Sequence, residues 1–291
     1  MAHDLSALTQ ALLDAARTAG ADHADAMAVE GASLSIDVRG GRLEQAERSE
    51  GTDIGLRVLI GQRSATVSAS DIKPSTLATM AERAVAMARE APEDKWIGLA
   101  DPDQLARDWD ADALEMADPA PEPSPEALED DARRAEAAAL AIAGISQIDA
   151  ASAAYGARRI HLAATNGFSG GYARSSRSVS CVAIAGSGTG MERDYDGDSR
   201  IFQSDLRSPE EIGARAAERT LARMNARRPR TGSYPVLYDE RISGSLISHL
   251  LSAVNGSAVA RGASWLRDAM DSPVLPDGLS LIEDPHRPRA M

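Results

Sequence analysis

The chain has 291 residues, of which 43% are hydrophobic and only 3% aromatic, with a formal net charge of −13. At roughly 100–200 residues per domain this is two or three units; no run nears the ~18–20 apolar residues of a membrane helix, and Met1-Ala-His-Asp4 shows neither the basic flank nor the apolar core expected of a secretory leader. The whole net charge sits between Glu90 and Asp131, where fifteen acids face Lys95 and Arg107; the balanced remainder has no basic face for nucleic acid, and the single cysteine, Cys181, cannot pair internally, so the sequence predicts a cytoplasmic protein without nucleic-acid or membrane partners.

Leu5, Leu8, Leu12, Leu13 and Ala16 recur at helical spacing from Leu5 to Ala19, with Asp4 as cap and Gly20 as stop. Ala26, Ala28, Leu34, Ile36 and Val38 alternate like a strand, and Gly40-Gly41 marks a turn. Residues 54–60 and 64–68 flank Gly61-Gln62 as a hairpin. Lys73-Pro74 opens a second helix with apolar Leu77, Met80, Ala81, Ala84, Val85 and Ala88, ending before Pro92. Residues 1–92 therefore read as an N-terminal α+β region with an antiparallel sheet.

Residues 93–125 combine the acidic run with Pro119, Pro121, Pro123 and Pro125, the composition of a solvated connector, while Trp96 and Trp109 suggest that parts of it dock on a neighbouring surface. Ser124 caps an Ala-rich helix over Glu126–Ala143, ending at Gly144. Strands follow at Ile148–Tyr155, Arg159–Ala164, Gly171–Ala185 and Glu192–Phe202, with turns at Tyr155-Gly156, Asn166-Gly167 and Gly186–Gly190. Ser208-Pro209 begins another helix, closing a central α+β region at 126–230. Residues 231–291 then offer a short strand Tyr234–Tyr238 and a helix from about Arg241 to Val254.

Several apparent motifs fail on their own chemistry. Gly186-Ser-Gly-Thr-Gly190 leads into a strand and has Met191 where a dinucleotide loop needs its third glycine. Asp194, Asp196 and Asp198 imitate half a calcium loop, but Ser199 replaces its glycine and Asp205 its bidentate glutamate, so they read as a polar turn between strands or a contact surface. Ser243, Ser245 and Ser248 lack the elbow of a serine hydrolase.

Gly51-Thr-Asp-Ile-Gly-Leu-Arg-Val58, Ala164-Thr-Asn-Gly-Phe168, Met191-Glu-Arg-Asp-Tyr195, the stretch Ser248–Val259 and Asp284-Pro-His-Arg-Pro288 occur in the order found in the TldD/PmbA family, and the chain resembles that family from about Leu12 to its end. Members were once described as modulators of DNA gyrase and are understood as cytoplasmic zinc metallopeptidases. The likeness is greater to the PmbA (TldE) branch. It implies an α+β fold of antiparallel sheets with flanking amphipathic helices in two N-terminal regions, followed by the start of a β-rich C-terminal domain at 231–291; that domain is expected to be truncated here.

TldD-type members carry His-Glu-x-x-x-His on the helix of the third region, with a cysteine farther along. Here His249 is followed by Leu250 where the glutamate would stand and Val254 where the second histidine would stand, and Cys181 lies upstream. A hydrolytic zinc needs about three protein ligands and a carboxylate base, so no catalytic or metal residue is assigned. The resemblance implies a non-zinc-binding subunit of a TldD/TldE-type complex that proteolyses unfolded or modified peptides. Zinc is then expected in a TldD-like paralogue, and this chain is not expected to be catalytic alone. Arg193, Asp194, Tyr195, His249, Asn255 and Ser257 are the candidate contacts to substrate or partner; His249 reads first as a polar-face histidine bonded to a neighbouring element and second as such a contact. The alternative is a non-enzymatic binding or regulatory protein that keeps only the interaction surface.

Overall fold

The computed structural model describes residues 3–107 and 110–290 and divides into two compact units, residues 1–226 with 286–291, and residues 227–285. Of the two tryptophans expected to dock, Trp109 lies outside the described residues. Trp96 does not dock on the described residues: it is 77% exposed, with the Lys95 ammonium 4.8 Å from its ring centroid.

In the first unit helix α1 (Leu5–Ala19) starts where the Asp4 carboxylate accepts the amides of Ser6 and Ala7 and stops at Gly20, whose φ of 95° suits a residue without Cβ. Strands β1 (His23–Arg39), β2 (Arg42–Ile60) and β3 (Arg63–Ala69) form a meander, and α2 (Pro74–Glu90) follows. After the acidic stretch come α3 (Pro125–Leu140), β4 (Ile145–Ala164), β5 (Ser169–Ala185), β6 (Glu192–Arg200) and α4 (Pro209–Ala222). Ser124 and Ser208 cap α3 and α4 through the Ala127 and Glu211 amides.

The α+β, antiparallel architecture holds, with the strands of both regions joined in one sheet. Its order is β3-β2-β1-β4-β5-β6, all antiparallel, because β1 pairs with β4 from Asp25↔Ala164 to Val38↔Ala151. Two of the turns expected here are absent. Tyr155 and Gly156 lie within β4, which runs unbroken from Ile145 to Ala164; a Cβ at 156 would sit 3.3 Å from the Ser176 hydroxyl on β5, a tight contact that a small shift of that side chain relieves. Asp194, Asp196 and Asp198 also lie within a strand, β6, each set opposite a residue of β5.

All four helices cover one face of the sheet, in two pairs. Leu12, Leu13 and Ala16 of α1 with Leu77, Ala81, Ala84 and Val85 of α2 pack on Ala24, Ala26, Ala28, Ile54, Leu56 and Val58. Leu128, Ala132, Ala135 and Ala139 of α3 with Ile212, Ala216 and Ala217 of α4 pack on Leu34, Ile36, Val38, Ala151, Ala153, Val179 and Cys181. The second pair is built from small residues, and the helices approach so closely that a Cβ on Gly213 would lie 2.0 Å from the Ala135 carbonyl oxygen. From α3 the buried Glu136 carboxylate accepts the amides of both Gly40 and Gly41, each at 2.6 Å, tying the β1–β2 turn to the second helix pair.

The second unit contains α5 (Glu240–Val254), capped by Asp239, and the short α6 (Gly256–Ala260). The strand expected at Tyr234–Tyr238 is not formed: among the described residues the unit has no strand to pair with it, and Val236 and Leu237 stand in solvent.

Candidate functional site

The two helix pairs leave the middle of the shared face open. Apolar alternation in β1 breaks between Ala28 and Leu34, where Glu30-Gly31-Ala32 intervenes. The register sets Glu30 beside Thr52 and Arg159, Gly31 beside Gly51 and Arg158, and Ala32 beside Glu50 and Ala157. The result is a trough of about 670 Å³ with Glu30, Glu50, Thr52, Tyr155 and Arg159 among its lining residues. The small side chains of its floor give depth, and the polar walls suit an extended, hydrogen-bonding guest more than an apolar ligand. The Glu30 carboxylate accepts the His3 amide at 3.0 Å and the Arg159 guanidinium at 2.6 Å, and these bonds, in that order, hold it below the usual carboxylate range.

One wall comes from the acidic stretch. The Ser175 amide donates to the Met116 carbonyl at 3.1 Å, the Asp118 amide to the Ser175 hydroxyl at 2.7 Å, and the Gln203 amide to the Asp118 carboxylate at 2.7 Å. This part of the stretch is thus bound to the sheet, in the line β6 would occupy if it were longer. Arg289 joins it: the guanidinium stacks 3.7 Å above the Phe202 ring and donates to Glu115 at 2.6 Å and Asp205 at 2.9 Å.

Strand alternation sends the intervening residues to the opposite face, which none of α1–α4 covers. There a second hollow, of about 550 Å³, is lined by Val29, Ser33, Ser49, Asp53, Arg158 and Arg174, and Met27, Leu162, Tyr172 and Tyr195 are exposed.

The same alternation divides the candidates named from the sequence. Arg193 and Tyr195 of β6 lie on the uncovered face, Arg193 within 3.5 Å of Asp149 and Tyr195 53% exposed. Asp194 is buried toward α4: its amide donates to the Thr220 hydroxyl at 3.1 Å, and its carboxylate accepts the Tyr195 amide and lies 3.7 Å from the Arg223 guanidinium. Its neighbours do likewise, Asp196 pairing with Arg207 and Arg219, and Asp198 accepting the Arg207 amide at 3.0 Å. The three aspartates tie α4 and the residues at its two ends to the sheet. His249, Asn255 and Ser257 belong to the second unit. His249 is exposed on α5, and the Asn255 side chain accepts the amides of Ser257 and Ala258, the geometry of a helix cap. The trough residues Glu30, Tyr155 and Arg159 were not singled out from sequence. The missed signal was the unbroken alternation through Gly156, which a turn assignment conceals.

The donor set for zinc is a poor fit. Among the described residues no group of three or more His, Cys, Asp or Glu side chains converges. Cys181 is buried in the second core, where loss of solvent first, and the charge of Glu136 second, push its thiol up to about 12. A thiol so reluctant to ionise is a weak metal ligand.

Three family descriptions match the chain in order: PmbA/TldA metallopeptidase domain 1 over residues 24–88, the central domain over 118–224 and the C-terminal domain over 231–291. The chain is 32% identical over 255 residues to Metalloprotease PmbA of Escherichia coli O157:H7 and 31% identical over 254 residues to its homolog in Haemophilus influenzae, each alignment covering 87% of this chain. It spans 56% of the length of these relatives. Among solved structures, a protein of Bacteroides thetaiotaomicron described as a modulator of DNA gyrase superposes with a TM-score of 0.89 at 23% identity, covering 98% of this chain and 64% of that one. TldE of Thermococcus kodakarensis superposes with a TM-score of 0.70 at 16% identity, covering 89% of this chain and 57% of that one. These two likenesses speak to the fold, and the matched domains and the PmbA identities to descent: the chain belongs to the PmbA/TldD metallopeptidase family.

Proposed function

We propose that this chain is a PmbA/TldE-like subunit of a two-protein, cytoplasmic metallopeptidase, and that it handles unfolded or modified peptides while a TldD-like paralogue supplies the zinc. The observation that carries the reading is α5, where His249, Leu250 and Val254 occupy the positions of a His-Glu-x-x-x-His motif, in a chain whose described residues gather no three-ligand set. Zinc in the partner would polarise the scissile carbonyl and activate water. The part left to this chain is to hold an extended substrate, for which strand edges and polar troughs supply backbone hydrogen bonds with little demand on sequence. Arg193, Tyr195 and His249 are exposed and are kept as contacts to substrate or partner; Asn255 and Ser257 are proposed to shape the turn after α5, and Asp194 to position Tyr195.

Co-expression with a His-Glu-x-x-x-His paralogue tests the reading. Zinc should follow the paralogue, and cleavage of an unstructured peptide should require both chains. Partner activity unchanged by this chain favours a binding or regulatory protein instead. Stoichiometric zinc and cleavage by this chain alone overturn both.

A further inference from the structure

We infer that the outer edge of β2 at residues 45–53 is a strand-addition site, and that its occupant is an extended peptide bearing basic side chains. The inference rests on the peptide-handling reading above and names the edge that serves it. β2 runs from Arg42 to Ile60, but β3 pairs only with Ile54–Ile60, so the earlier half of β2 has β1 on one side and no strand on the other. The corresponding edges on the far side of the sheet are capped. On β6 the Gly197 carbonyl accepts the Arg207 guanidinium at 2.8 Å and the Asp194 amide is taken by Thr220; beyond β6, the Ser175 amide of β5 is taken by Met116. Among the described residues no such bond reaches the backbone of 45–53.

An open edge invites uncontrolled pairing unless it is irregular or charged. Here the irregularity is confined to one end: the register with β1 shifts next to Glu44, then stays constant from Gln45↔Asp37 to Asp53↔Val29. Past that bulge the edge offers a regular ladder. Its charges select the guest. The stretch carries Glu47, Glu50 and Asp53 against one base, Arg48, which is already held by Glu50 and by Glu122 of the acidic stretch. Opposite charges across a strand pair are favourable and like charges are not. Glu47 is exposed, and Glu50, Gly51, Thr52, Ser70 and Ile72 form the near wall of the trough, which leaves room for alternate side chains of the guest on that face.

The test uses the full chain and a fluorescein-labelled peptide of alternating Thr and Lys, read by anisotropy, with amide hydrogen exchange to locate it. Binding should protect residues 45–53. It should weaken at least about tenfold when alternate peptide amides are N-methylated, since strand addition depends on the backbone, and Glu47→Arg should shift preference toward a Thr and Glu peptide. Equal binding of the N-methylated peptide, protection elsewhere, or concentration-dependent protection of 45–53 without peptide, which would mark a second copy, overturns the proposal. Cleavage by the reconstituted pair that ignores Glu47→Arg and leaves 45–53 unprotected sinks the edge and spares the peptidase reading. Edge-dependent binding with no cleavage in the pair supports the edge and sinks that reading.

Discussion

Arg177 on β5 is buried with its guanidinium on the Asp131 carboxylate of α3. Burial lowers the arginine and raises the aspartate, each against the pull of the other's charge, so the pair is held together at the expense of solvation. Without Arg177 the Asp131 carboxylate keeps only the more exposed Arg134, 3.3 Å away, so Arg177→Met should lose stability in urea unfolding, by less than the roughly 3–5 kcal/mol of a fully orphaned buried charge, and the double variant with Asp131→Leu should recover most of it. His161 offers a second test at this scale. Its Nδ1 lies 2.9 Å from the Thr9 hydroxyl of α1 and its Nε2 3.4 Å from the Ser169 hydroxyl, and burial, partly opposed by Asp4, lowers it below 6.5. The unfolded chain then takes up the proton first. Stability from this group is whole above pH 6.5, falls as the pH drops toward the lowered folded value and is level below it. The difference in unfolding free energy between wild type and His161→Gln, measured from pH 7.5 to 5, should shrink on acidification; a constant difference would remove His161 from the pH response.

At the level of elements, the crossing of α3 and α4 depends on what is missing from residue 213. Gly213→Ala places a methyl against the Ala135 carbonyl, a backbone atom that cannot turn aside, and should cost about 1–3 kcal/mol by overpacking. Ala135→Gly should not rescue it, since the obstruction is main chain. This contact could not be read from the sequence, where Gly213 is one more glycine inside a helical pattern. The helices themselves were legible because their ends are local: Asp4 and Gly20 bound α1, and Ser124-Pro125 and Ser208-Pro209 open α3 and α4. Hairpins were legible for the same reason, Gly61-Gln62 and Asn166-Gly167 both lying at turns. Tyr155-Gly156 failed because a glycine also sits within a regular strand, here paired with Ser33 on one side and Ser176 on the other. The trough was hidden for a related reason: Glu30 and Arg159 meet only through the β1–β4 register, and nothing near either residue specifies it.

For the first unit as a whole, that register matters most. The matched first and central domains each own a helix pair and a core, yet β1 contributes Ala24, Ala26 and Ala28 to one core and Leu34, Ile36 and Val38 to the other. Two cores threaded on one strand should not melt apart. Leu12→Ala in the first and Ile212→Ala in the second, each worth about 2–5 kcal/mol, should move a single calorimetric transition by similar amounts; two separable transitions would show that the shared strand does not couple them. The strand order has a further result during synthesis. β1 is central, but its second neighbour begins only at Ile145, so at ~5–20 residues per second the nascent meander waits about 5–20 s with a long ladder unsatisfied. The ribosome-bound intermediate is therefore a natural client for chaperones, and its hazard lies in that delay more than in the finished molecule.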